Sequence, residues 1–411
     1  MRQVVVMVAT SYPRFPGDGV GSFMEPIAKG VAARGHEVHL VAPWHPAITR
    51  GKVEDGVYFH FFHYAPLKSL SVFGYATGLR EDTRLKASAW AIAPLAVASG
   101  TWKAMRVAMK RKATVMHAHW VIPGGVIATL GRRGLPLVVS LHGSDVFVAE
   151  RVGVAGRAAR AVFERASWIT ACSDDLTARA VNLGARRDRI ETVPYGVDTR
   201  RFAPDPKARA AVRAELGLGD APLVFSAGRL VRKKGFEYLI DAVAAAQRDT
   251  PNLRLIIAGD GDLRHELAER ARAASLPSQI QLVGNQPQDE VARFAAAADV
   301  VAVPSVHDEA GNVDGLPNFA LEALASATPV VATNVGGLPQ AIDDGVTGRL
   351  VPERDVQALA RTIGELLTNP STARQLGLTA RFKVERDFSW ARVAERFEAA
   401  YDRACSPKFE V

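Results

Sequence analysis

Leu223-Val224-Phe225-Ser226-Ala227-Gly228-Arg229-Leu230-Val231-Arg232-Lys233-Lys234-Gly235 is an apolar run that stops at one glycine, turns through four cations and closes on a second glycine. A short run rich in Val and Phe reads as a buried strand, and the three- and four-residue apolar spacing over 237–247 reads as a helix. Strand, glycine turn and helix in that order form the repeating unit of a parallel sheet covered by helices. The unit recurs in both directions. Strands are expected at 3–10, 36–42, 115–119, 137–141, 168–172 and 190–193, then at 223–227, 253–258, 280–283, 300–304 and 329–332. Helices such as 263–273 and 290–297 fall between them. The strands are nearly continuous apolar runs, as helices on both faces require.

A chain of 411 residues exceeds one ordinary core and predicts two doubly wound α/β domains of roughly 200 residues each. The break is expected at 195–212, where Gly196, Pro204 and Pro206 interrupt the periodicity and read as a linker. The domains are then 1–200 and 201–387, with an amphipathic helix at 389–404 following the last strand of the second.

Two cysteines, Cys172 and Cys405, are too few for a disulfide scaffold or a zinc site. The N-terminus enters an apolar strand with only Arg2 before it, which argues against a signal peptide and for a reducing, cytoplasmic setting. The charge-free run 87–102 contains Pro94 and is shorter than the roughly 20 residues a membrane span needs. The runs 113–131 and 323–342 are broken by proline and paired glycines, so no transmembrane helix is expected. The formal charge of +8 is unevenly spread: 83–144 has no Asp or Glu but nine Lys or Arg.

In doubly wound folds ligands sit beyond the carboxyl ends of the strands. After the first strand comes Pro16-Gly17-Asp18-Gly19-Val20-Gly21, leading into a helix expected at 22–34. Gly19 and Gly21 permit close backbone approach, and a helix N-terminus there would suit a phosphate, although a plain turn would also use these glycines. The spacing is not a dinucleotide fingerprint, and the second strand ends in Val41-Ala42-Pro43 without a carboxylate. A nicotinamide enzyme is thereby disfavoured.

After the fourth strand, Leu141-His142-Gly143-Ser144-Asp145 sets an imidazole at a strand end, placed to bond a sugar hydroxyl or move a proton. Asp145 reads equally as a helix cap. His117 and His119 share a face but have no acidic or thiol partner nearby in sequence, which favours packing over metal binding. Arg229, at the end of its strand, and Lys234, entering the next helix, can converge on one anion, a diphosphate cradle. Arg232 and Lys233 read as solvated surface. Finally Asp314-Gly315-Leu316-Pro317-Asn318-Phe319-Ala320-Leu321-Glu322 starts a helix with one carboxylate before it and another inside an apolar stretch. A carboxylate there needs a partner, and the paired hydroxyls of a ribose supply one.

Taken together, the glycine loop at 17–21, His142-Gly143, Gly228-Arg229 with Lys234-Gly235, Gly259-Asp260-Gly261 and the two carboxylates eight positions apart resemble the retaining nucleotide-sugar glycosyltransferases of the GT-B fold, the group called family four. The resemblance covers essentially the whole chain. It implies two Rossmann-like domains facing across a cleft, donor mostly on the second and acceptor mostly on the first, with the last segment, 388–411, crossing back to the first. It implies that Arg229 and Lys234 bind the donor diphosphate and stabilise the leaving nucleotide, that Glu322 holds the ribose and that Asp314 sits at the transferred sugar. His142 would bind that sugar, joining the others by closure about a hinge near 195–212. Further donor contacts would come from Gly19, Gly21, Gly284, Asn285, Leu316, Pro317 and Asn318. The family usually has glutamate where this chain has Asp314, which is shorter by one methylene. No cofactor and no metal are expected, because the cations take the divalent ion's role.

The implied reaction moves a hexose from a UDP- or GDP-linked sugar to an acceptor hydroxyl, with retention, the acceptor being a glycan or a lipid-linked or cell-envelope intermediate. A nucleotide-sugar epimerase or a catalytically idle sugar-binding protein remains open. A nucleic-acid partner is disfavoured, because the charge lacks interleaved aromatics. Within 95–112, Leu95, Ala98, Trp102, Met105 and Met109 share one helical face and Lys103, Arg106 and Lys110 another. The apolar face either packs on the first sheet or lies peripherally on an anionic membrane.

Overall fold

Flanked by glycine and covered by amphipathic helices, the Val-rich runs become the buried strands of two mainly parallel sheets. The computed structural model describes residues 2–65, 71, 73–75, 79–80, 84–85, 87–274 and 279–406. The chain divides into two units, Met1–Tyr195 with Trp390–Val411, and Gly196–Ser389.

In the first unit the strands are β1 (Val4–Val8), β2 (Glu37–Pro43), β3 (Val53–Glu54), β4 (Val57–Phe62), β5 (Leu79–Arg80), β6 (Arg84–Leu85), β7 (Val115–His119), β8 (Leu137–Leu141), β9 (Trp168–Ala171) and β10 (Ile190–Thr192). Eight of them form one sheet in the order β10-β9-β8-β7-β1-β2-β4-β3, while among the described residues β5 and β6 pair with each other. Only β3 runs antiparallel within the large sheet. The order reverses at β1, which pairs with both β2 and β7. The sequence did not anticipate β4; its Phe61-Phe62 breaks the alternation that a half-exposed strand should show.

The final helix, Trp390–Ala404, belongs to this unit. Its Val393, Phe397, Ala400 and Tyr401 are buried in the same core as Met7, Ile27 and Leu40. The long helix Ala87–Arg111 carries Pro94 within it. It turns Ile92, Ala96, Ala104, Val107 and Ala108 inward and leaves Leu95, Trp102 and Met109 exposed. The packing reading of that apolar row is therefore corrected: small residues on the opposite side let the helix approach the sheet. Among the described residues no helix is long and apolar enough to cross a membrane.

The second unit holds β11 (Leu223–Ala227), β12 (Arg254–Ala258), β13 (Ile280–Gly284), β14 (Val300–Val303), β15 (Val330–Thr333) and β16 (Arg349–Val351). Their order is β13-β12-β11-β14-β15-β16, all parallel, with the reversal between β11 and β14. Phe236, Leu239, Ile240 and Val243 of the helix after β11 are fully buried beneath it, each such side chain contributing roughly 1.5–3 kcal/mol. The expected linker 195–212 is corrected in its second half, where Pro206–Glu215 is a helix. The Asp205 carboxylate accepts the N–H groups of Lys207 and Ala208 at 3.0 and 2.9 Å. Proline, read as a breaker, here occupies the first helical turn, where it has no N–H to lose.

Candidate functional site

The crevice beyond a sheet's carboxyl edge opens where strand order reverses, so in the second unit the loops after β11 and β14 face each other. They are pressed together by backbone. Gly235 has φ +65, and a Cβ there would stand 2.0 Å from the carbonyl oxygen of Pro304, so only glycine fits. Arg232–Lys234 forms a single tight turn ahead of the helix Phe236–Ala246, rather than Lys234 entering that helix as expected. The turn carries Lys233 and Lys234 onto the loop after β14. Lys234 Nζ lies 2.7 Å from Asp314 Oδ2 and Lys233 Nζ 3.2 Å from Oδ1, with these three side chains only 11–16% exposed. Ser305 Oγ donates to Asp314 Oδ2 at 3.3 Å.

Burial alone would raise the Asp314 carboxyl; the ammonium groups of Lys234 and Lys233 outweigh it and hold the group far below the usual carboxylate range. The reading of Lys233 as solvated surface is thus corrected, while Arg232 is exposed and bound to Glu266. Behind Asp314 the Gly336-Gly337 turn closes in, and a Cβ on Gly337 would lie 2.0 Å from the Gly315 carbonyl oxygen. Those glycines, Ser305 and Lys233 escaped the sequence reading. The pair Gly336-Gly337, shortly beyond the end of β15, was the available signal.

The helix Asn318–Ala325 begins here, with Asn318 and Glu322 one turn apart. Asn318 Oδ1 is buried with no hydrogen-bond partner among the described residues. Burial raises the Glu322 carboxyl to about 7, with Arg201 and then Lys234 opposing. Among the described residues no hydrogen bond or ion pair reaches that carboxylate. Buried polar groups are nearly always paired, so a carboxylate and an amide oxygen left open beside two lysines suit a ligand with hydroxyls and an anionic part.

Of the other expected residues, Arg229 is exposed at the end of β11, and the Lys234 side chain runs 3.3 Å from where a Cβ on Gly228 would stand. Leu316 and Pro317 are buried directly ahead of the helix Asn318–Ala325. Gly284 accepts the Gly259 N–H at 2.7 Å, tying β13 to the loop after β12, and Asn285 is exposed beyond it.

In the first unit the glycine loop folds around one carboxylate. Asp18 Oδ2 accepts from Arg14 Nε at 2.6 Å, and Asp18 Oδ1 from Arg14 Nη2 at 3.0 Å and Val20 N at 3.2 Å. Gly19 has open space around it, Gly21 packs on Ser11, and the helix starts at Met24 instead of 22. His142 differs from its expectation. Its Nδ1 lies 2.8 Å from the Tyr195 hydroxyl and its Nε2 3.0 Å from His119 Nδ1, so both ring nitrogens are occupied. Burial, and then His119, push its pKa well down, so the ring is neutral. Tyr195, 53 residues away, gave no local signal.

Asp145 accepts N–H groups from Val121 at 2.6 Å, Gly143 at 3.0 Å and His142 at 3.3 Å. It staples two loops, with burial raising its carboxyl to about 6 against those amides. His117 and His119 are wholly buried. His117 sits between the Tyr401 hydroxyl at 2.8 Å and Ser140 Oγ at 2.7 Å, a packing role.

Two family models match the chain: Glycosyltransferase Family 4 over residues 17–201 and Glycosyl transferases group 1 over 208–382. The chain is 35% identical over 280 residues to the GDP-mannose-dependent alpha-(1-6)-phosphatidylinositol monomannoside mannosyltransferase of Mycolicibacterium smegmatis, 66% of this chain and 73% of that one. It is 28% identical over 423 residues to a glycogen synthase of Mycobacterium tuberculosis, 97% and 94% of the two. Its fold is similar to that of HepE from Anabaena, solved in complex with UDP, with TM-score 0.77, 20% identity, and 97% and 99% coverage.

Proposed function

Since the chain belongs to the family four glycosyltransferases and has the GT-B fold, we propose that it transfers a hexose from a UDP- or GDP-linked sugar to a glycan or lipid-linked acceptor, with retention of anomeric configuration. One observation carries this: beside the Lys234–Asp314 pair, the half-buried Glu322 carboxylate has no hydrogen-bond or ion-pair partner among the described residues. In this reading the donor diphosphate lies against Lys234, Lys233 and Arg229, and Glu322 accepts from both ribose hydroxyls. Charge develops on the leaving diphosphate as the bond to the anomeric carbon breaks, and fixed cations stabilise it more than the ground state. The acceptor oxygen bonds the same face of that carbon while its proton passes to the departing phosphate oxygen.

Asp314 is then a positioning residue, because its carboxylate is already shared by two lysines. Cations at the diphosphate also make a divalent ion unnecessary in this reading. A melting-temperature screen with UDP, GDP and ADP tests the site: a nucleotide at about 100 times its dissociation constant should stabilise by about 2.7 kcal/mol. Product analysis with UDP-glucose and GDP-mannose on the same samples tests transfer. No stabilisation by any nucleoside diphosphate would remove the assignment.

A further inference from the structure

The first unit shows an apolar surface that its own packing does not use. Leu95, Trp102 and Met109 stand seven residues apart on one side of the helix Ala87–Arg111, 53%, 53% and 50% exposed, and Leu130 of the neighbouring helix Val126–Gly131 is 62% exposed. Between the two helices runs an open groove of about 630 Å³ lined by Pro94, Ala98, Trp102, Met105 and Leu130 among others. Four large apolar side chains in one patch are more than scattered surface hydrophobics.

Cations border the patch. The Arg106 guanidinium lies 5.1 Å from the Trp102 ring, Arg133 Nη1 lies 3.4 Å from the Met109 sulfur, and Lys110, Arg111 and Lys112 are exposed at the helix end. Among the described residues none of these five has a carboxylate within ion-pair distance, whereas Arg50, Arg179, Arg209 and Arg213 all do. The segment 83–144 contributes no acid of its own. An apolar row with an indole at its centre and unneutralised cations alongside complements a surface whose interior is hydrocarbon and whose face is anionic.

We infer that this face docks the protein on an anionic lipid leaflet, with Leu95, Trp102, Met109 and Leu130 at the acyl boundary and the cations among the headgroups. The inference stands apart from the donor site, whose residues lie in the other unit.

Vesicle flotation of the full chain tests it, using phosphatidylcholine vesicles with and without an equal share of phosphatidylglycerol. Binding to the anionic vesicles at low salt, weakening as salt rises, is expected. Trp102→Ser with Leu95→Ser should abolish it, and each of Lys110→Ala, Arg111→Ala and Lys112→Ala should weaken it roughly fivefold. All these variants should keep the nucleotide-induced melting shift, so loss of that shift in the unaltered protein would sink the donor assignment alone. Docking on lipid is overturned by no flotation at low salt, by equal flotation with neutral vesicles, or by variants that float like the original. Sedimentation analysis showing a dimer that Trp102→Ser dissociates, without vesicle binding, would assign the patch to a second copy instead.

Discussion

Each unit holds a polar cluster at the carboxyl edge of its sheet, and the two are built on opposite terms. In the first unit, His117 and His142 have both ring nitrogens matched to a protein partner, and Asp145 is stapled by three amides. The histidines are neutral because burial keeps them so. In the second unit the charges are kept: two lysines share one carboxylate, and Glu322 and Asn318 retain acceptor oxygens that no described residue bonds. Among the described residues the first cluster leaves one buried ring nitrogen, His119 Nε2, without a partner. The second leaves a carboxylate and an amide oxygen open beside two lysines, and open acceptors among charges separate a binding site from a scaffold more sharply than residue type does.

The strongest way to break this contrast is Lys234→Ala. Steady-state transfer should fall by about 100- to 1,000-fold, the cost of removing one donor from a developing oxyanion, and the melting temperature should drop because the largely buried Asp314 loses one of its two lysines. A comparable loss from His142→Ala with the fold intact would reverse the ranking of the two clusters. Next is Glu322→Gln, which should weaken nucleotide binding by about tenfold or more. Its pH dependence has a definite sign. The folded carboxyl titrates near 7 instead of its ordinary 4.5, so unaltered protein should bind nucleotide more tightly as pH rises through 7 and the acceptor ionises. Stability should move the other way. The folded state holds this proton more firmly than the unfolded one, so the stabilisation present below 4.5 is lost as pH climbs to 7. Calorimetry and titration of Glu322→Gln should show both slopes flattened.

A smaller effect is expected in the first-unit cluster. Tyr195→Phe removes the partner of His142 Nδ1 and should cost about 1–3 kcal/mol of unfolding free energy, while UDP or GDP affinity in titration calorimetry stays unchanged. Smallest of all should be the response to a metal chelator: with cations at the diphosphate, EDTA is expected to alter transfer by less than about twofold, and a collapse of activity would mean that a divalent ion shares the site.

Legibility in the sequence follows the same division. Val-rich strands, the glycine turns and the eight-residue spacing of Asp314 and Glu322 are local patterns, and they led to the sheets and to most of the second-unit cluster. Lys233 looked like a surface charge because its partner is 81 positions on, and the two meet only once the loops join through the close approach of Gly235 to Pro304 and the Val306 N–H donated to the Lys233 carbonyl at 2.9 Å. His142 looked available because Tyr195 cannot be seen from its neighbours. The row Leu95–Trp102–Met109 fits a packed face and an open one equally well; which side turns inward depended on how small Ala96 and Ala104 are.

The final helix has a consequence for the order in which the protein can be made. Phe397 and Tyr401 finish the core that β1 and β2 begin, and the ring of His117 hydrogen-bonds the Tyr401 hydroxyl. On the ribosome, Gly196–Ser389 is already synthesised while the earlier unit still lacks its last wall. Early domains commonly fold first during translation; here the later one has that opportunity. A nascent chain arrested before Trp390 should therefore resist protease in its second unit and yield in its first.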